Sequence, residues 1–357
     1  MASYVKVPGK LYLAGEYAVT YPYHSALVFA VDRFLTVKIT PSDQEKGTFQ
    51  STSYQDKPLD WYRQKGIFTF NNDKDYLKLI ESAVLTTEEY LAELGKSLTY
   101  YHIGIESQLD SQSGQKYGLG SSGAVTVGLV QALLDYYQAD SDKETIFKLS
   151  VLSQLKIGKE GSFGDIAAST YTGCIHYTCF DKKAIKEKLF AGNLLTLVKE
   201  EWPGFHIRTI ELEDYLQIGV GWTGSPASTD ELIEKMHQEN TSEFVMEDFL
   251  RKNEENNKEL IYHLENGPFE GIGKNIQTSR QLLKELGQAR QISIETPLLT
   301  RFIEITEKHR AFAKTSGAGG GDCGVALFDC TLCKQLVEKE WLANGIEPLD
   351  LTIYNNH

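Results

Sequence analysis

Cysteine is scarce in this sequence. There are five among 357 residues: Cys174, Cys179, Cys323, Cys330 and Cys333. An odd, sparse set in a chain of this length indicates reduced thiols of a cytoplasmic protein, not a disulfide framework. Cys330 and Cys333 have the spacing of half a zinc site, but no second pair lies nearby and no histidine follows at ligand spacing. This favours ordinary thiols over a metal site.

Long apolar runs are also missing. No stretch of about 18 apolar residues could span a membrane, and the first ten residues, MASYVKVPGK, lack the apolar segment of a signal peptide. Basic residues are outnumbered, 36 against 49 acidic ones, for a net charge of −13. Such a protein is a poor partner for nucleic acid or an anionic membrane, although a local basic pocket can still bind a small anion. No obligate protein partner is evident.

A glycine-serine loop runs straight into an apolar helix at residues 116–137, KYGLGSSGAVTVGLVQALLDYY. Its glycines permit a tight turn, and Ser121 and Ser122 occupy the position expected of a helix N-cap. The start of a helix offers N–H donors and partial positive charge, so the loop is suited to phosphate. It lacks the terminal GK[ST] of a P-loop and the glycine spacing of a dinucleotide fingerprint. Alone, it could equally be a capped helix after a flexible loop.

Two further segments favour the phosphate-binding interpretation of this loop over an ordinary capped helix: VPGKLYLAGEYAV at 7–19 and KTSGAGGGDCGVALF at 314–328. In this order, and over nearly the whole chain, the three segments resemble the GHMP small-molecule kinases. The resemblance implies an α+β, two-domain GHMP kinase fold. Its N-terminal domain, 1–180, would be ribosomal protein S5 domain 2-like and hold ATP. Its C-terminal domain, 181–357, would be ferredoxin-like and close the acceptor site.

Hydrophobic spacing predicts the regular elements independently of the resemblance. Helices are expected at 75–94, 118–137, 143–156, 271–287, 296–310 and from about 331, and strands at 27–39, 98–105, 205–211, 215–222 and 325–328. The polar stretch 229–265 is typical of solvated helices. Residues 41–66 are turn-rich and indicate an insertion or hairpin.

The resemblance gives two residues a catalytic role, with ATP and Mg²⁺ as cofactors. Lys10 follows Pro8-Gly9 and would favour the ionised form of a nearby Asp while offsetting charge on the transferred phosphoryl group. Asp165 ends the turn GSFGD and would accept or orient the proton of the attacking group. On their own, they would be read as a surface lysine and a turn-capping aspartate.

The same resemblance implies an ATP-phosphate site along the glycine-serine loop. Its members are Gly118, Leu119, Gly120, Ser121, Ser122 and Gly123, with Ser122 also a ligand of Mg²⁺. In mevalonate and galactose kinases of the family, a glutamate eleven residues before the Asp binds the metal as well. Here that position is Gln154, so this ligand is not carried over.

Three features resemble the phosphomevalonate kinases of the bacterial type: the segment GWTGSPAST at 221–229, a lysine just before the loop, and the form SGAGGGDCG of the last motif. They imply 5-phosphomevalonate as the small-molecule acceptor, giving 5-diphosphomevalonate and ADP. The candidate acceptor-binding residues are Lys116, Ser162, Ser228, Thr229, Gly317 and Ala318. Asp322 is expected to point away from the phosphates, because like charges repel, or to cap a neighbouring turn. The alternatives are a mevalonate kinase, a diphosphomevalonate decarboxylase, or a ligand sensor without turnover.

Overall fold

The computed structural model describes residues 2–52, 57–71, 74–111, 115–224, 232 and 243–355. Within them the chain forms two sheets, one of eight strands and one of four. The strands of the larger sheet are β1 Ser3–Ala14, β2 Ser25–Pro41, β3 Gly47–Ser51, β4 Leu59–Gln64, β5 Ile67–Phe70, β6 Tyr101–Ser107, β7 Cys174–Thr178 and β8 His206–Ile210. Those of the smaller sheet are β9 Gln217–Trp222, β10 Phe312–Thr315, β11 Cys323–Phe328 and β12 Glu347–Leu349.

The long strand β2 organises the larger sheet. It pairs antiparallel with β1 from Ser3–Ile39 to Ala14–Leu27. It also pairs with β7 over its first residues and with β6 over its last. The β1–β2 register shifts between Pro8 and Gly9. This bulge directs the Lys10 N–H away from the ladder, so that it donates to Leu119 O at 2.9 Å.

The described helices are α1 Asp75–Glu93, α2 Ser121–Tyr136, α3 Lys143–Lys156, α4 Gly164–Tyr171, α5 Lys182–Ala191, α6 Leu194–Lys199, α7 Glu243–Asn266, α8 Phe269–Arg290, α9 Pro297–Lys308 and α10 Thr331–Ala343. Helix α2 packs on β1 and β2 and is flanked by α1, α3 and α4. Most of its residues are buried. This agrees with a sequence that is apolar nearly all round, because such a helix has no face for water.

The smaller sheet has the order β10-β11-β9-β12 and is antiparallel throughout. Helices α8, α9 and α10 pack against it. The two glycines of β9 make room for this packing, because a Cβ on Gly221 would lie 2.6 Å from the ring of Phe302, and one on Gly219 2.7 Å from the ring of Phe328. These strands and helices form the second α+β unit of the fold.

Strand pairing favours a domain boundary later than residue 180. Helices α5 and α6 follow that point, and α6 packs on α1 and α3. Strand β8 then pairs with β7 in the larger sheet as far as Ile210. The smaller sheet begins only at Gln217. The boundary predicted after residue 180 is not tested by these contacts alone. From the strand pairing we propose that the boundary lies between β8 and β9.

No helix in the described part of the chain is long and apolar enough to cross a membrane. All five cysteines are free thiols, and Cys330 caps α10 by accepting the N–H of Cys333 at 3.4 Å.

Candidate active site

A cavity of about 340 Å³ lies where β1, the starts of α2 and α4, and the loop 316–322 meet. It is lined by Lys10, Tyr12, Glu16, Tyr17, Val19, Thr20, Leu109, Lys116, Gly118, Leu119, Gly120, Ser121, Ser122, Gln154, Lys159, Gly161, Ser162, Phe163, Asp165, Ser316, Gly317, Ala318 and Asp322. Residues from all three sequence motifs therefore line this cavity.

Helix α2 begins at the cavity without a side-chain cap. Its N-cap residue is Gly120, in the left-handed region at φ 81°, and no side chain bonds to the cap. The prediction of a serine N-cap is wrong, because Ser121 and Ser122 are already the first two helical residues. A glycine is required at the cap, since a Cβ on Gly120 would lie 2.8 Å from Cγ of Lys10. The first-turn N–H groups and their partial positive charge thus remain available to an anion.

Lys10 is half-buried between two carboxylates and the loop 116–120, which we call the phosphate loop after the role predicted for it. Its Nζ donates to Gly118 O at 2.8 Å. Burial lowers the pKa of this ammonium, while the charges of Asp165 and Asp322 oppose that shift. An ammonium in this partly dehydrated place interacts strongly with added negative charge.

Asp165 lies in the first turn of α4, pressed against the first turn of α2. A Cβ on Gly123 would be 2.6 Å from Oδ2 of Asp165, so only glycine permits this approach. The cap of α4 is Phe163, a non-glycine residue at φ 59°. Such a conformation costs about 1–3 kcal/mol and marks a turn whose shape is fixed by its surroundings. The starts of two helices and one carboxylate thus converge on the same space.

Tyr12 joins the turn before Asp165 to the glycine-rich loop. Its hydroxyl is 2.8 Å from Oγ of Ser162, and its backbone N–H donates to Oγ of Ser316 at 2.9 Å. Burial, with the Asp165 charge adding to it, raises the pKa of Tyr12 well above its usual value. The phenol therefore stays protonated and acts only as a hydrogen-bonding group.

Glu16 and Lys314 form a fully buried ion pair behind the cavity. Lys314 Nζ also donates to Thr315 O at 2.7 Å. Burial lowers the pKa of Lys314, and the Glu16 charge counteracts this. The second carboxylate oxygen of Glu16, Oε2, is buried and has no hydrogen-bond partner within the described ranges. Since Glu16 lines the cavity, Oε2 is a candidate acceptor for a ligand hydroxyl.

The loop 316–322 forms the opposite wall. Tyr17 donates its hydroxyl to Ala318 O at 2.5 Å, which fixes the middle of this loop. Contrary to the expectation that it points away from the site, Asp322 faces the cavity. Its Oδ2 would be 2.7 Å from a Cβ on Gly118, and it lines the cavity. The physical reason is Lys10, whose ammonium offsets the charge of this carboxylate.

The phosphate loop is held from the side of the smaller sheet as well. The Cys323 thiol donates to Tyr117 O at 3.0 Å. The ring of Tyr117 meets the ring of Trp222 edge-on, with centroids 5.0 Å apart. The Arg33 guanidinium lies 4.9 Å from the centroid of the same tyrosine. Both halves of the molecule therefore shape the loop.

Gln154 occupies the position at which related kinases have a glutamate ligand of magnesium. The Thr126 hydroxyl donates to Ser122 O at 3.0 Å and so accepts from Gln154 Nε2 at 3.1 Å. This leaves the amide oxygen of Gln154 for the cavity. The described residues contain no group of three or more acidic, histidine or cysteine side chains able to hold a metal alone. The donor set fits an ion bound mainly by phosphate oxygens and water, as Mg²⁺ often is.

The structure brings together nearly every predicted site residue that it describes. Lys10, Lys116, Ser162, Asp165, Gly317, Ala318 and the loop from Gly118 to Ser122 all line the cavity. Gly123 lies just behind the lining, against Asp165. Ser228 and Thr229 fall outside the described residues. Sequence reasoning missed Tyr12, Glu16, Lys159 and Ser316, although two of them lie within the first motif and Ser316 directly precedes Gly317.

Two family models match the chain. The GHMP kinases N-terminal domain covers residues 78–173, and the GHMP kinases C-terminal domain covers 259–334. A phosphomevalonate kinase of a Streptomyces species is 32% identical over 97% of this chain and 95% of that protein. The chain belongs to the GHMP kinases. A mevalonate kinase of Methanocaldococcus jannaschii is a more distant GHMP relative, 25% identical over 94% of this chain and 95% of its own.

Solved structures also support the membership of this chain in the GHMP kinase family. A protein of Listeria innocua superimposes with a TM-score of 0.92 at 35% identity, covering 98% of this chain and 97% of that one. Streptococcus pneumoniae phosphomevalonate kinase, in complex with phosphomevalonate and AMPPNP, gives a TM-score of 0.86 at 31% identity, with 98% of each chain covered. The two-domain GHMP kinase fold expected from the sequence is confirmed.

Proposed function

We propose that this GHMP kinase transfers the γ-phosphoryl group of ATP to the phosphate of 5-phosphomevalonate, giving 5-diphosphomevalonate and ADP. One observation carries the proposal: Lys10 and Asp165 both lie against Gly120, at the uncapped start of α2 and in one cavity. The similarity to phosphomevalonate kinases supports the choice of acceptor. This reaction would serve isoprenoid precursor synthesis.

The chemistry joins two anions that repel, so the protein's task is to neutralise charge and to hold geometry. Lys10, held by Gly118 O, would bridge the transferred phosphoryl group and the attacking oxygen. A phosphomonoester oxygen is already largely ionised near pH 7, since its second pKa is about 6. Asp165 therefore has little proton to remove and would mainly orient Lys10 and the acceptor.

The loop from Gly118 to Gly123 would bind the ATP phosphates through its backbone N–H groups and the start of α2. Mg²⁺ would be held by the Ser122 hydroxyl, the Gln154 amide oxygen and phosphate oxygens, and when bound it would supply further positive charge to the transferred group. The acceptor phosphate would meet the cavity lysines Lys116 and Lys159. Ser162 or Glu16 Oε2 would meet the one free hydroxyl group of 5-phosphomevalonate.

The partner is thus a small molecule, and the acidic chain argues against nucleic acid and membrane. Free thiols at all five cysteines support an enzyme of the reducing cytoplasm.

The test is an ADP-release assay with Mg-ATP and three separate acceptors: mevalonate, 5-phosphomevalonate and 5-diphosphomevalonate. We expect turnover only with 5-phosphomevalonate, no CO₂ release and, after removal of the nucleotides, a phosphorus NMR spectrum with the coupled pair of a diphosphate. Lys116→Met should raise the acceptor KM with little effect on the ATP KM, because this lysine would meet the acceptor phosphate.

Each other outcome points to a different function. Turnover with mevalonate would replace the acceptor and leave the roles of Lys10 and Asp165 in place. CO₂ release from 5-diphosphomevalonate would make the chain a decarboxylase. Ligand binding by calorimetry without any ADP release would make it a sensor.

A further inference from the structure

Lys182, the first residue of α5, is not part of the cavity lining, yet it contacts two of the cavity's walls from behind. Its half-buried ammonium donates to three backbone oxygens: Thr20 O at 2.7 Å, Glu160 O at 3.1 Å and Gly161 O at 3.3 Å. Thr20 and Gly161 themselves line the cavity. An ammonium has three N–H donors, and here each has an oxygen to bind.

The turn 160–163 needs such support. Nothing lies within 4 Å of the place that a Cβ on Gly161 would occupy, so side-chain packing does not fix this residue. Two residues later, Phe163 adopts a left-handed backbone at φ 59°. Between them Ser162 is bonded on both sides, to the Tyr12 hydroxyl and, through its carbonyl, to the Tyr177 hydroxyl at 2.8 Å. Hydrogen bonds therefore define the turn that leads into Asp165.

We propose that Lys182 is a positioning residue for phosphoryl transfer: it ties the turn 160–163 to the segment 18–20 and so sets where Ser162 and Asp165 stand relative to the acceptor. A cation serves here where a neutral side chain would not, because it can donate to three carbonyls that point at one place. The inference rests on the proposed function for the site, but not on which acceptor the site takes.

Lys186 supplies a matched comparison. It lies one turn further along α5 and contacts the same residue, Glu160. It reaches only the carboxylate, which is 71% exposed, and not the backbone of the turn. An exposed ion pair of this kind contributes little. Lys186→Met therefore removes the same charge from the same helix without releasing the turn.

The experiment compares kcat and both KM values for Lys182→Met, Lys182→Arg and Lys186→Met, using whichever acceptor the unmodified enzyme turns over. Misplacing a positioned group by about 1 Å can cost 100-fold in rate. For Lys182→Met we expect the acceptor KM to rise and kcat to fall, together at least about tenfold in kcat/KM, at an unchanged ATP KM. Lys182→Arg should recover part of the loss, and Lys186→Met should resemble the unmodified enzyme.

Hydrogen–deuterium exchange gives a readout independent of turnover. Peptides covering 158–166 should exchange faster in Lys182→Met than in the unmodified protein or Lys186→Met, while α2 keeps its protection. If Lys182→Met does not fold, Lys182→Gln, which keeps two donors, takes its place. Unchanged kinetics and unchanged exchange in the folded variant would overturn the proposal. A different acceptor for the unmodified enzyme would overturn only the proposed function.

Discussion

At the scale of single residues, the site depends on the close approach of Lys10, Asp165 and Asp322. Lys10 lies against Gly120 at the start of α2, and the charges of Asp165 and Asp322 oppose the lowering of its pKa by burial. Both carboxylates lie against glycines of the phosphate loop or the helix that follows it. Bound phosphates would add negative charge beside the two carboxylates. The protonation of Lys10 therefore decides how well the site tolerates that added charge.

Replacing Lys10 with Met should lower kcat about 100- to 1,000-fold, because a fixed charge facing the developing negative charge is lost. The KM values should change less, since the α2 start still binds phosphate. Steady-state kinetics with Lys6→Met as control tests this. Lys6 lies on the same strand and is exposed, so its loss should change neither parameter. An unchanged kcat in Lys10→Met would reject the role of the lysine.

The pH profile should report the same residue. Because burial lowers the pKa of Lys10, the ammonium deprotonates at a lower pH than an ordinary lysine does. Activity should therefore fall on the alkaline side at a pH below the 10.5 of an ordinary lysine, and Asp165→Asn should move that fall to still lower pH by removing a charge that favours the cation. A kcat/KM profile of both enzymes decides this; coincident alkaline limbs would contradict it. Near-full kcat in Asp165→Asn at neutral pH would limit the aspartate to this electrostatic effect.

At the scale of elements, the contact between α2 and α4 explains a glycine within the first turn of α2. Gly123→Ala should not weaken the helix itself, since Ala is about 1 kcal/mol better than Gly inside a helix. It should displace the Asp165 carboxylate and so reduce kcat, by up to about 100-fold if the shift reaches 1 Å. Thermal unfolding and kinetics together show this.

Gly128→Ala in the same helix is the matched control. A Cβ there would lie 2.6 Å from Cγ2 of Val37, in the core and not in the site. We expect this variant to lose stability with little change in kcat. If both variants behave alike, the contact with Asp165 has no special effect.

Elements with strong local patterns were predictable, and those defined by their partners were not. The helix predictions at 75–94, 143–156 and 296–310 are confirmed to within two residues, because hydrophobic spacing and caps such as Asp142 and Thr296 are written in the local sequence. Strand β12 has three residues and exists only through its pairing with β9. The turn-rich stretch 41–66 resolves into strands β3 and β4, the latter in a hairpin with β5.

The site shows the same division. Three ordered sequence motifs predict the roles of Lys10, Asp165 and the phosphate loop. Tyr12, Ser316 and Lys182 act through bonds between segments 150 to 304 residues apart in sequence, which no local pattern encodes. Asp322 was misjudged because its position depends on Lys10, a partner from the other end of the chain.

At the scale of the whole molecule, helix α7 packs on the larger sheet away from the cavity. There Ser25 of β2 donates its N–H and hydroxyl to Oε2 of Glu254 on α7, at 3.3 and 2.9 Å. His24 and His176 lie close to the same carboxylate. Nδ1 of the first and Nε2 of the second are buried and have no partner within the described residues. Burial lowers the pKa of both imidazoles from 6.5, against the opposing charge of Glu254.

This arrangement predicts a loss of stability on acidification. The unfolded chain takes up protons on these histidines near pH 6.5, whereas the folded chain does so only at lower pH. The unfolded state then binds more protons, so the free energy of unfolding falls as the pH drops through 6.5 and is unaffected by these groups above about pH 7.5. Urea unfolding at several pH values, with the double variant His24→Gln and His176→Gln, should show a shallower acid slope.

The contact between Trp222 and Tyr117 has an optical consequence. The chain has four tryptophans, and Trp61, Trp202 and Trp341 lie in hydrophobic clusters, each 3% exposed or less. Only Trp222 touches the loop that runs into α2, and its indole N–H has no partner among the described residues. Indole emission is sensitive to such surroundings, so the protein carries its own fluorescent reporter beside the proposed phosphate site. A nucleotide arriving at this loop would change the light that one side chain emits.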